Sequence, residues 1–305
     1  MKKYLIFATL VAMVFVGCKK NTTAPPKKPA DNRVAAKFSG NILKNEVKTT
    51  TRVTGNTWDQ GDEVGMFAFK EGSRANSGLL CSNYKFNAKK NGELEEVTGL
   101  MYFPSGGEKV DFIAYHPYHS NLNLGTPSQW ITFKPEHPLN KMECLWASAN
   151  GQSEASPKVN FEFKRLQSSV TFILKATSEH EYTVDSDITL TDMPYKAFFD
   201  VVKGTLVAST ETSGISDLKG LKYNRLYYLP PHEAKKHTTR SIVVTTREKK
   251  ALSVPIKFDF ESGKTHIITV FLGKDGYKLS LESTVVPFED SGEITLKPIG
   301  LINNK

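Results

Sequence analysis

Short runs of apolar side chains, many of them alternating with polar ones, recur along most of this chain. Residues 170–174 and 257–260 show the alternation clearly. A period of two is expected for a strand in a sheet that has one buried face. Glycine, proline, asparagine and aspartate separate the runs and mark turns, for example at residues 274–276. No window of about eleven residues or more has the spacing of an amphipathic helix, so the pattern predicts an all-β protein.

The apolar runs also give the positions of the predicted strands. Short strands at this spacing, with turns between them, are typical of antiparallel β-sandwiches. The predicted strands are residues 34–43, 63–69, 110–115, 159–163, 169–174, 188–191, 240–246, 254–260, 266–272 and 278–281.

The first eighteen residues have a different pattern. Lys2 and Lys3 precede a continuous apolar run, residues 4–16, which is shorter than the ~20 residues that a lone membrane-spanning helix needs. We therefore interpret this run as part of a secretory signal peptide. Gly17 and Cys18 follow it directly, and a small residue before a cysteine at this place resembles the lipobox of bacterial lipoproteins. The resemblance implies cleavage between Gly17 and Cys18 and a lipid on Cys18; an ordinary signal peptide with a chance cysteine is the alternative.

The segment after the cysteine has the composition of a tether. Residues 19–33 contain Pro25, Pro26 and Pro29, four lysines and no large apolar side chain. Such a segment buries too little apolar surface to fold and tends to be extended. With a lipid on Cys18, it predicts a protein tethered to a membrane outside the cytosol, with its folded part held away from the bilayer.

The remaining chain is long enough for two domains. The stretch at residues 149–157 is small, polar and turn-prone, and it separates two parts of similar length, each large enough for its own core. We predict a signal peptide at residues 1–17, a tether at 18–33, an N-terminal β-sandwich domain at 34–155 and a C-terminal one at 156–305.

Charge and cysteine content exclude some classes of function. The formal net charge is +8, but lysines and arginines do not gather with aromatic residues in a stripe that would bind nucleic acid. Besides Cys18, only Cys81 and Cys144 are present, too few for the disulfide framework of a small secreted module. The sequence leaves open whether these two pair or remain free thiols.

Motifs for catalysis or cofactor binding are absent from the sequence. Gly263-Lys264-Thr265 matches the end of a phosphate-binding loop, but Phe258 occupies the place of the first glycine of that motif. His116 and His119 have no cysteine, aspartate or glutamate at zinc-ligand spacing around them. We therefore expect no enzymatic activity, no cofactor and no metal site.

Several motifs, in a fixed order, resemble those of a known family. Residues 51–67 contain Trp58-x-x-Gly61-Asp62 before an apolar strand, and the motifs at 101–104, 110–118, 145–147, 161–172 and 260–266 follow in order. Together they resemble the fimbrillin-like proteins of Bacteroidetes. The chain departs from the family pattern at Arg165, where a histidine is common, and at Phe288, where a tryptophan is common.

The resemblance implies two tandem transthyretin-like antiparallel β-sandwich domains in a lipoprotein precursor of a pilus. In polymerising members of the family, a protease cuts after an arginine and releases the first strand, and the open groove accepts a strand from a neighbouring subunit. Arg52 matches that arginine by position, with Arg33 a lesser candidate. A donor strand is expected at residues 292–299, where Ile294 and Leu296 alternate with polar side chains. The alternative is that Arg52 is a turn residue and strand 34–43 stays in place.

The expected partners are other pilin subunits, the outer membrane through the lipid, and a receptor on a host or bacterial surface. The sequence does not choose between a stalk, an anchor and a tip subunit. A different class of function is a glycan-binding surface lipoprotein, which would present flat aromatic rings to sugars. Trp58 and Trp146 lie in family motifs beside strands and are expected in the core, so Trp130 is the candidate platform.

Overall fold

The computed structural model describes residues 33–43, 57–124, 130–134, 142–176, 187–245, 251–272 and 279–287. These residues form eighteen strands and three short 3₁₀ helices. The first eight strands are β1 (Lys37–Ile42), β2 (Glu63–Lys70), β3 (Leu79–Ala88), β4 (Glu93–Glu96), β5 (Val110–His116), β6 (Trp130–Thr132), β7 (Leu145–Gln152) and β8 (Lys158–Arg165). The other ten are β9 (Ser168–Ala176), β10 (Asp187–Pro194), β11 (Lys196–Asp200), β12 (Thr205–Ala208), β13 (Ile215–Leu221), β14 (Leu226–Leu229), β15 (Ser241–Thr245), β16 (Ala251–Pro255), β17 (Lys264–Leu272) and β18 (Leu279–Pro287). The 3₁₀ helices are Asn76–Gly78, Thr212–Gly214 and Ala234–Lys236.

Seven strands of the first part close into a barrel in the order β1-β4-β3-β2-β5-β7-β8. The strand β1 makes the closure, because it pairs antiparallel with β4 on one side and parallel with β8 on the other. Without β1, the remaining six strands would form an open sheet with β4 and β8 at its edges. The interior is apolar and rich in aromatic side chains from β1, β3, β5 and β8.

Two four-stranded sheets of the second part enclose another core. Their orders are β13-β10-β15-β16 and β14-β9-β17-β18, and side chains from both sheets share one apolar cluster. The first part differs from a sandwich of this kind because β1 joins both of its edges and turns the open sheet into a barrel.

A three-stranded sheet, in the order β12-β11-β6, contributes to a third core. This core covers the outer face of the barrel at Phe67, Phe69 and Ile113. Strands β2 and β5 are therefore buried on both faces, which explains why their sequences are nearly continuous apolar runs. Strand β8 has one solvent-facing side, and its residues alternate strictly between buried and exposed.

The all-β class predicted from the sequence is confirmed, and most predicted strands are found within a few residues of their expected bounds. The strand predicted at residues 254–260 is wrong in its second half, because β16 ends at Pro255. Phe260 is buried but takes part only in an isolated bridge with His232. In place of a strand, this stretch packs beside Arg240: the guanidinium donates to the carbonyl oxygen of Phe258 at 2.9 Å and lies 5.4 Å from the centre of the Phe260 ring.

The polar stretch predicted as a domain boundary is the turn between two paired strands. Residues 153–157 connect β7 to β8, and both strands belong to the barrel. The change from the first group of strands to the second falls between Arg165 and Ser168. Leu166 and Gln167, which link them, are buried, so no polar composition marks this place. The division into two domains stays a prediction.

Several predicted site residues lie outside the described residues, namely Gly17, Cys18, Arg52, Ile294 and Leu296. Their roles stay predictions. Within the described part of the chain, no helix is long and apolar enough to cross a membrane.

Candidate functional site: the groove that holds the first strand

The strand β1 has the sequence pattern of a strand with one side in a core. Phe38 and Ile42 are buried with Gly40 between them, whereas Lys37 and Asn41 are exposed. The alternation therefore sorts the strand into an inner and an outer face. We call the space between β4 and β8 that β1 fills the β1 groove.

Hydrogen bonds from the backbone hold β1 on both sides of the β1 groove. The N–H groups of Lys37 and Leu43 donate to the carbonyl oxygens of Pro157 and Phe163, at 2.8 Å each. On the other side, the N–H of Gly40 donates to the carbonyl of Gly92 at 2.8 Å. A strand paired on both edges leaves no free edge of its own. Its removal would expose unpaired donors and acceptors on β4 and β8.

The largest inward side chain, Phe38, fills a pocket made of three other phenylalanine rings. The ring of Phe38 meets Phe86 edge-on at a centroid distance of 5.3 Å and Phe112 edge-on at 5.1 Å. It lies nearly parallel to Phe161 at 6.0 Å. Edge-to-face pairs of this kind stabilise a core beyond the apolar area that they bury. The pocket therefore favours a large apolar side chain at this position.

Gly40, the next inward residue, has other groups packed closely around it. The indole Nε1 of Trp58 donates a hydrogen bond to its carbonyl oxygen at 2.7 Å. A Cβ atom on Gly40 would overlap the Phe163 ring, with ring carbon Cδ2 only 3.0 Å away. On the other side, Gly92 adopts a φ of 86°, and a Cβ atom on it would lie 2.9 Å from the carbonyl oxygen of Gly40. We call Phe163, Trp58 and Gly92 around Gly40 the glycine lock.

The chain enters and leaves the β1 groove at the surface. The guanidinium of Arg33 lies over the ring of Tyr102 at 4.2 Å, just before β1 begins. At the other end, Leu43 and Thr57 are both exposed. The segment between them, residues 44–56, carries Arg52 and lies outside the described residues. The structure places only the residues on either side of it, Leu43 and Thr57.

A second cluster of buried polar groups lies in the loops beside β15 and β16. The guanidinium of Arg240 is fully buried and donates to the carbonyl oxygens of His237 at 3.0 Å and Phe258 at 2.9 Å. It also donates to Nε2 of His232 at 2.6 Å. These three acceptors are neutral. Burial lowers the pKa of Arg240 to about 10.

The histidines of this cluster are held in the neutral form. Nδ1–H of His232 donates to the carbonyl of Pro230 at 2.7 Å, so Nε2 must accept from Arg240. Burial, and then the positive charge of Arg240, lower the pKa of His232 to about 3. His266 accepts from the N–H of Glu261 at 3.1 Å, and burial lowers its pKa to about 4. His232 and His266 are therefore neutral near pH 7, where a general acid or base needs a pKa close to the working pH.

Cys81 and Cys144 are free thiols. Burial raises the pKa of both, which favours the unreactive protonated form.

Trp58 and Trp146 are buried, as the sequence predicts. The backbone of Trp130 pairs with Phe198, but its side chain lies outside what the structure describes, so its role as a glycan platform stays a prediction. Among the described residues, no group of three or more histidines, cysteines and acids could hold a metal ion.

The sequence predicts a strand at residues 34–43 but gives neither the glycine lock nor the Arg240 cluster. A glycine inside an apolar, alternating strand is a signal of close approach by another group, and Gly40 carries that signal. For the Arg240 cluster the sequence offers less, because nothing in the local pattern around His232, Arg240 and His266 distinguishes them from ordinary surface residues.

Comparisons with known proteins agree with this architecture. A family model described as fimbrillin-like matches residues 51–287. A proposed fimbrium subunit, Fim1C, of Bacteroides uniformis is 23% identical over 295 residues, covering 92% of this chain and 93% of its own.

Two solved structures, both of proposed cell adhesion proteins, have a similar fold. The one from Bacteroides uniformis has a TM-score of 0.65 at 20% identity and covers 86% of this chain and 100% of its own. The one from Bacteroides ovatus has a TM-score of 0.64 at 17% identity and covers 84% and 98%. With a family model that matches most of its length, this chain belongs to the fimbrillin-like family.

Proposed function

We propose that this protein is a structural or adhesive subunit of a cell-surface fimbrium, exported as a lipoprotein and assembled by proteolysis and strand exchange. The observation that carries the proposal is the position of β1, which closes the barrel and is the first strand in the described part of the chain. Its covalent link to the barrel passes through the segment that contains Arg52.

Cutting at Arg52 would turn β1 into a separate strand held only by noncovalent contacts. Loss of β1 would open the edges of β4 and β8 and expose the phenylalanine pocket that Phe38 fills. A strand from another subunit would satisfy both the backbone groups and the apolar pocket, which is the physical basis of strand addition. The C-terminal segment with Ile294 and Leu296 is the proposed donor.

The other proposed partners, the outer membrane and a surface receptor, follow from the predicted export of the protein. A lipid on Cys18 would hold the precursor at the outer membrane, and cutting at Arg52 would release the chain from that lipid. An uncut chain would remain anchored. Attachment to a host or bacterial receptor is part of the proposal for the assembled fimbrium, while stalk, anchor and tip roles remain alternatives.

The test treats the purified precursor with an arginine-specific protease. Arg52→Lys is the matched control, because it keeps the charge and removes the cleavage site; Arg33→Lys tests the second candidate. We expect truncation after Arg52 in the wild-type chain, followed by growth of polymers in light scattering and electron microscopy. A precursor that is cut at Arg52 and stays monomeric would contradict the polymerising role.

A glycan-binding lipoprotein is the second candidate, and only Trp130 favours it. Binding of the monomeric, uncut protein to a glycan array, abolished by Trp130→Ala, would support that function. Absence of binding to any glycan on the array would remove it.

A further inference from the structure

Each of the two parts of the chain contains an excursion that its own sheets do not need. In the first part, β5 and β7 pair directly with each other as far as His116 and Leu145, and the chain between them leaves the barrel. In the second part, β10 and β13 pair directly as far as Pro194 and Ile215. Residues 195–214, between that last pair, contain β11 and β12, and we call them the strap.

The two excursions pair with each other. Strand β6, from the excursion of the first part, pairs antiparallel with β11 of the strap, with Trp130 opposite Phe198. Beyond this pairing, the N–H of Phe133 donates to the carbonyl oxygen of Tyr195 at 2.7 Å. The three-stranded sheet therefore takes its strands from both parts of the chain.

The strap buries apolar side chains against the barrel. Ala197, Phe199, Val201 and Leu206 are buried in the third core together with side chains of β2, β5 and β7. The ring of Phe199 lies 5.7 Å from the ring of Tyr115 on β5. Domains move relative to each other by default, unless a large and hydrophobic interface holds them. The third core is an interface of that apolar kind.

The turn between β11 and β12 lies against the indole ring of Trp146 on the barrel. The Nε1–H of Trp146 donates to the carbonyl oxygen of Val201 at 2.7 Å. Gly204 has a φ of 63°, and a Cβ atom on it would lie only 2.7 Å from ring carbon Cε3. Beside the ring, Nη1 of Arg74 donates to the carbonyl oxygen of Val202 at 3.2 Å. The turn thus needs a glycine to come this close to the barrel.

The direct connection between the two parts is also bound to the barrel. Leu166 and Gln167, which link β8 to β9, are buried. The N–H of Leu166 donates to the carbonyl oxygen of Cys144 at 2.9 Å, and Oε1 of Gln167 accepts from the N–H of Cys144 at 3.0 Å. Domains that move independently are usually joined by exposed, polar linkers with few contacts, and this connection lacks those properties.

We propose that the strap joins the two parts into one cooperative unit, and that its turn at residues 201–204 is the contact on which the coupling depends. The two parts then unfold together, although each has a core of its own. The coupling goes beyond the proposed function, because it belongs to the intact chain and requires neither cleavage nor assembly.

The coupling can be measured on the intact chain by urea titration with one probe for each part. All three tryptophans, Trp58, Trp130 and Trp146, lie in the first part, so their fluorescence reports on that part. Hydrogen exchange of peptides from β15 and β17, read by mass spectrometry, reports on the second part. We expect both probes to give the same midpoint in the wild-type chain. Two separate midpoints in the wild type would overturn the proposal.

Two glycines allow the contact with Trp146 to be separated from backbone strain. Gly204→Ala and Gly220→Ala both add a Cβ atom where φ is positive, 63° and 73°. The Cβ atom at Gly220 meets nothing within 4 Å, whereas the one at Gly204 overlaps the indole. We expect Gly204→Ala to separate the two midpoints and to change the ratio of the exchange rates of the two parts at least about tenfold. Gly220→Ala should leave a single midpoint.

Arg74→Ala decides the matter if Gly204→Ala does not fold, because it removes only contacts at the edge of the turn. We expect it to change the exchange ratio at least about threefold, and Lys109→Ala, at an exposed barrel lysine, to leave the ratio unchanged. An unchanged ratio in Arg74→Ala, or a single midpoint in a folded Gly204→Ala protein, would overturn the role of the turn. An equal split in Gly220→Ala would do the same, because strain alone would then explain it.

Discussion

The indole nitrogen of Trp58 donates a hydrogen bond of 2.7 Å to the backbone carbonyl of Gly40. The two residues stand on opposite sides of the segment that contains Arg52. The bond therefore joins β1 to the rest of the barrel independently of the covalent link, and it would remain after a cut at Arg52. The strength of this hydrogen bond should therefore affect the rate at which β1 dissociates after a cut at Arg52.

Replacing this tryptophan tests that role. Trp58→Phe keeps an aromatic ring in the core but leaves the Gly40 carbonyl without its donor, and a buried, unsatisfied carbonyl costs about 1–3 kcal/mol. We expect a loss of that size in the free energy of unfolding, measured by chemical denaturation, and faster loss of β1 from the cut protein. Unchanged stability would mean that water or another donor replaces the indole.

The packing of Phe38 in the phenylalanine pocket should contribute more to the free energy that holds β1 in the barrel than its outward side chains do. Phe38→Ala removes a ring that contacts three others, and truncations of this kind in a core cost about 3–5 kcal/mol. Lys37→Ala, on the exposed face of the same strand, should change the free energy of unfolding by less than about 0.5 kcal/mol. Equal effects of the two substitutions in denaturant titrations would show that the inner face of β1 contributes little.

Acid should destabilise the second part of the chain through its buried histidines. The folded-state pKa values of His232 and His266, about 3 and about 4, lie below the ordinary value near 6.5 of an unfolded chain. The folded state therefore binds fewer protons, and stability present above pH 6.5 is lost as the pH falls toward these values. Between pH 7 and pH 5, each histidine should contribute a loss of about 2 kcal/mol.

Carboxylates and lysines near this cluster also titrate, so the contribution of the histidines has to be separated from theirs. The carboxylate of Asp259 accepts from the N–H of Ala234, and Glu233 pairs with Lys235 and Lys236 on the surface. We expect His232→Gln, which keeps a neutral side chain that does not titrate, to flatten the dependence of the unfolding free energy on pH. A variant with the same slope as wild type would assign the acid sensitivity to other groups.

The proposed lipid on Cys18 can be tested by replacing the cysteine with serine. Cys18→Ser replaces the thiol with a hydroxyl, which is not the acceptor of the lipoprotein pathway implied by the lipobox. We expect the wild-type precursor to incorporate labelled palmitate and to fractionate with membranes, and Cys18→Ser to do neither. Labelling of both proteins would refute the lipobox, and labelling of neither would favour an ordinary signal peptide.

The sequence by itself determined the local features of this protein. The alternation of apolar and polar residues, clearest at residues 170–174 of β9, decided the all-β class, because successive side chains of a strand point to opposite faces of the sheet. The order of motifs, from Trp58 to residues 260–266, indicated the fimbrillin-like family that the match over residues 51–287 confirms.

Only the tertiary structure decided which strands are neighbours. Phe38 pairs with Val159, more than a hundred residues away in the chain, and no local period encodes such a partner. The same holds for the turn at residues 153–157, where polar composition is equally compatible with a hairpin and with a linker. The close packing around Gly40 and the buried cluster at Arg240 likewise depend on groups that the fold brings together, because the space and charge around a residue are set by its neighbours in three dimensions.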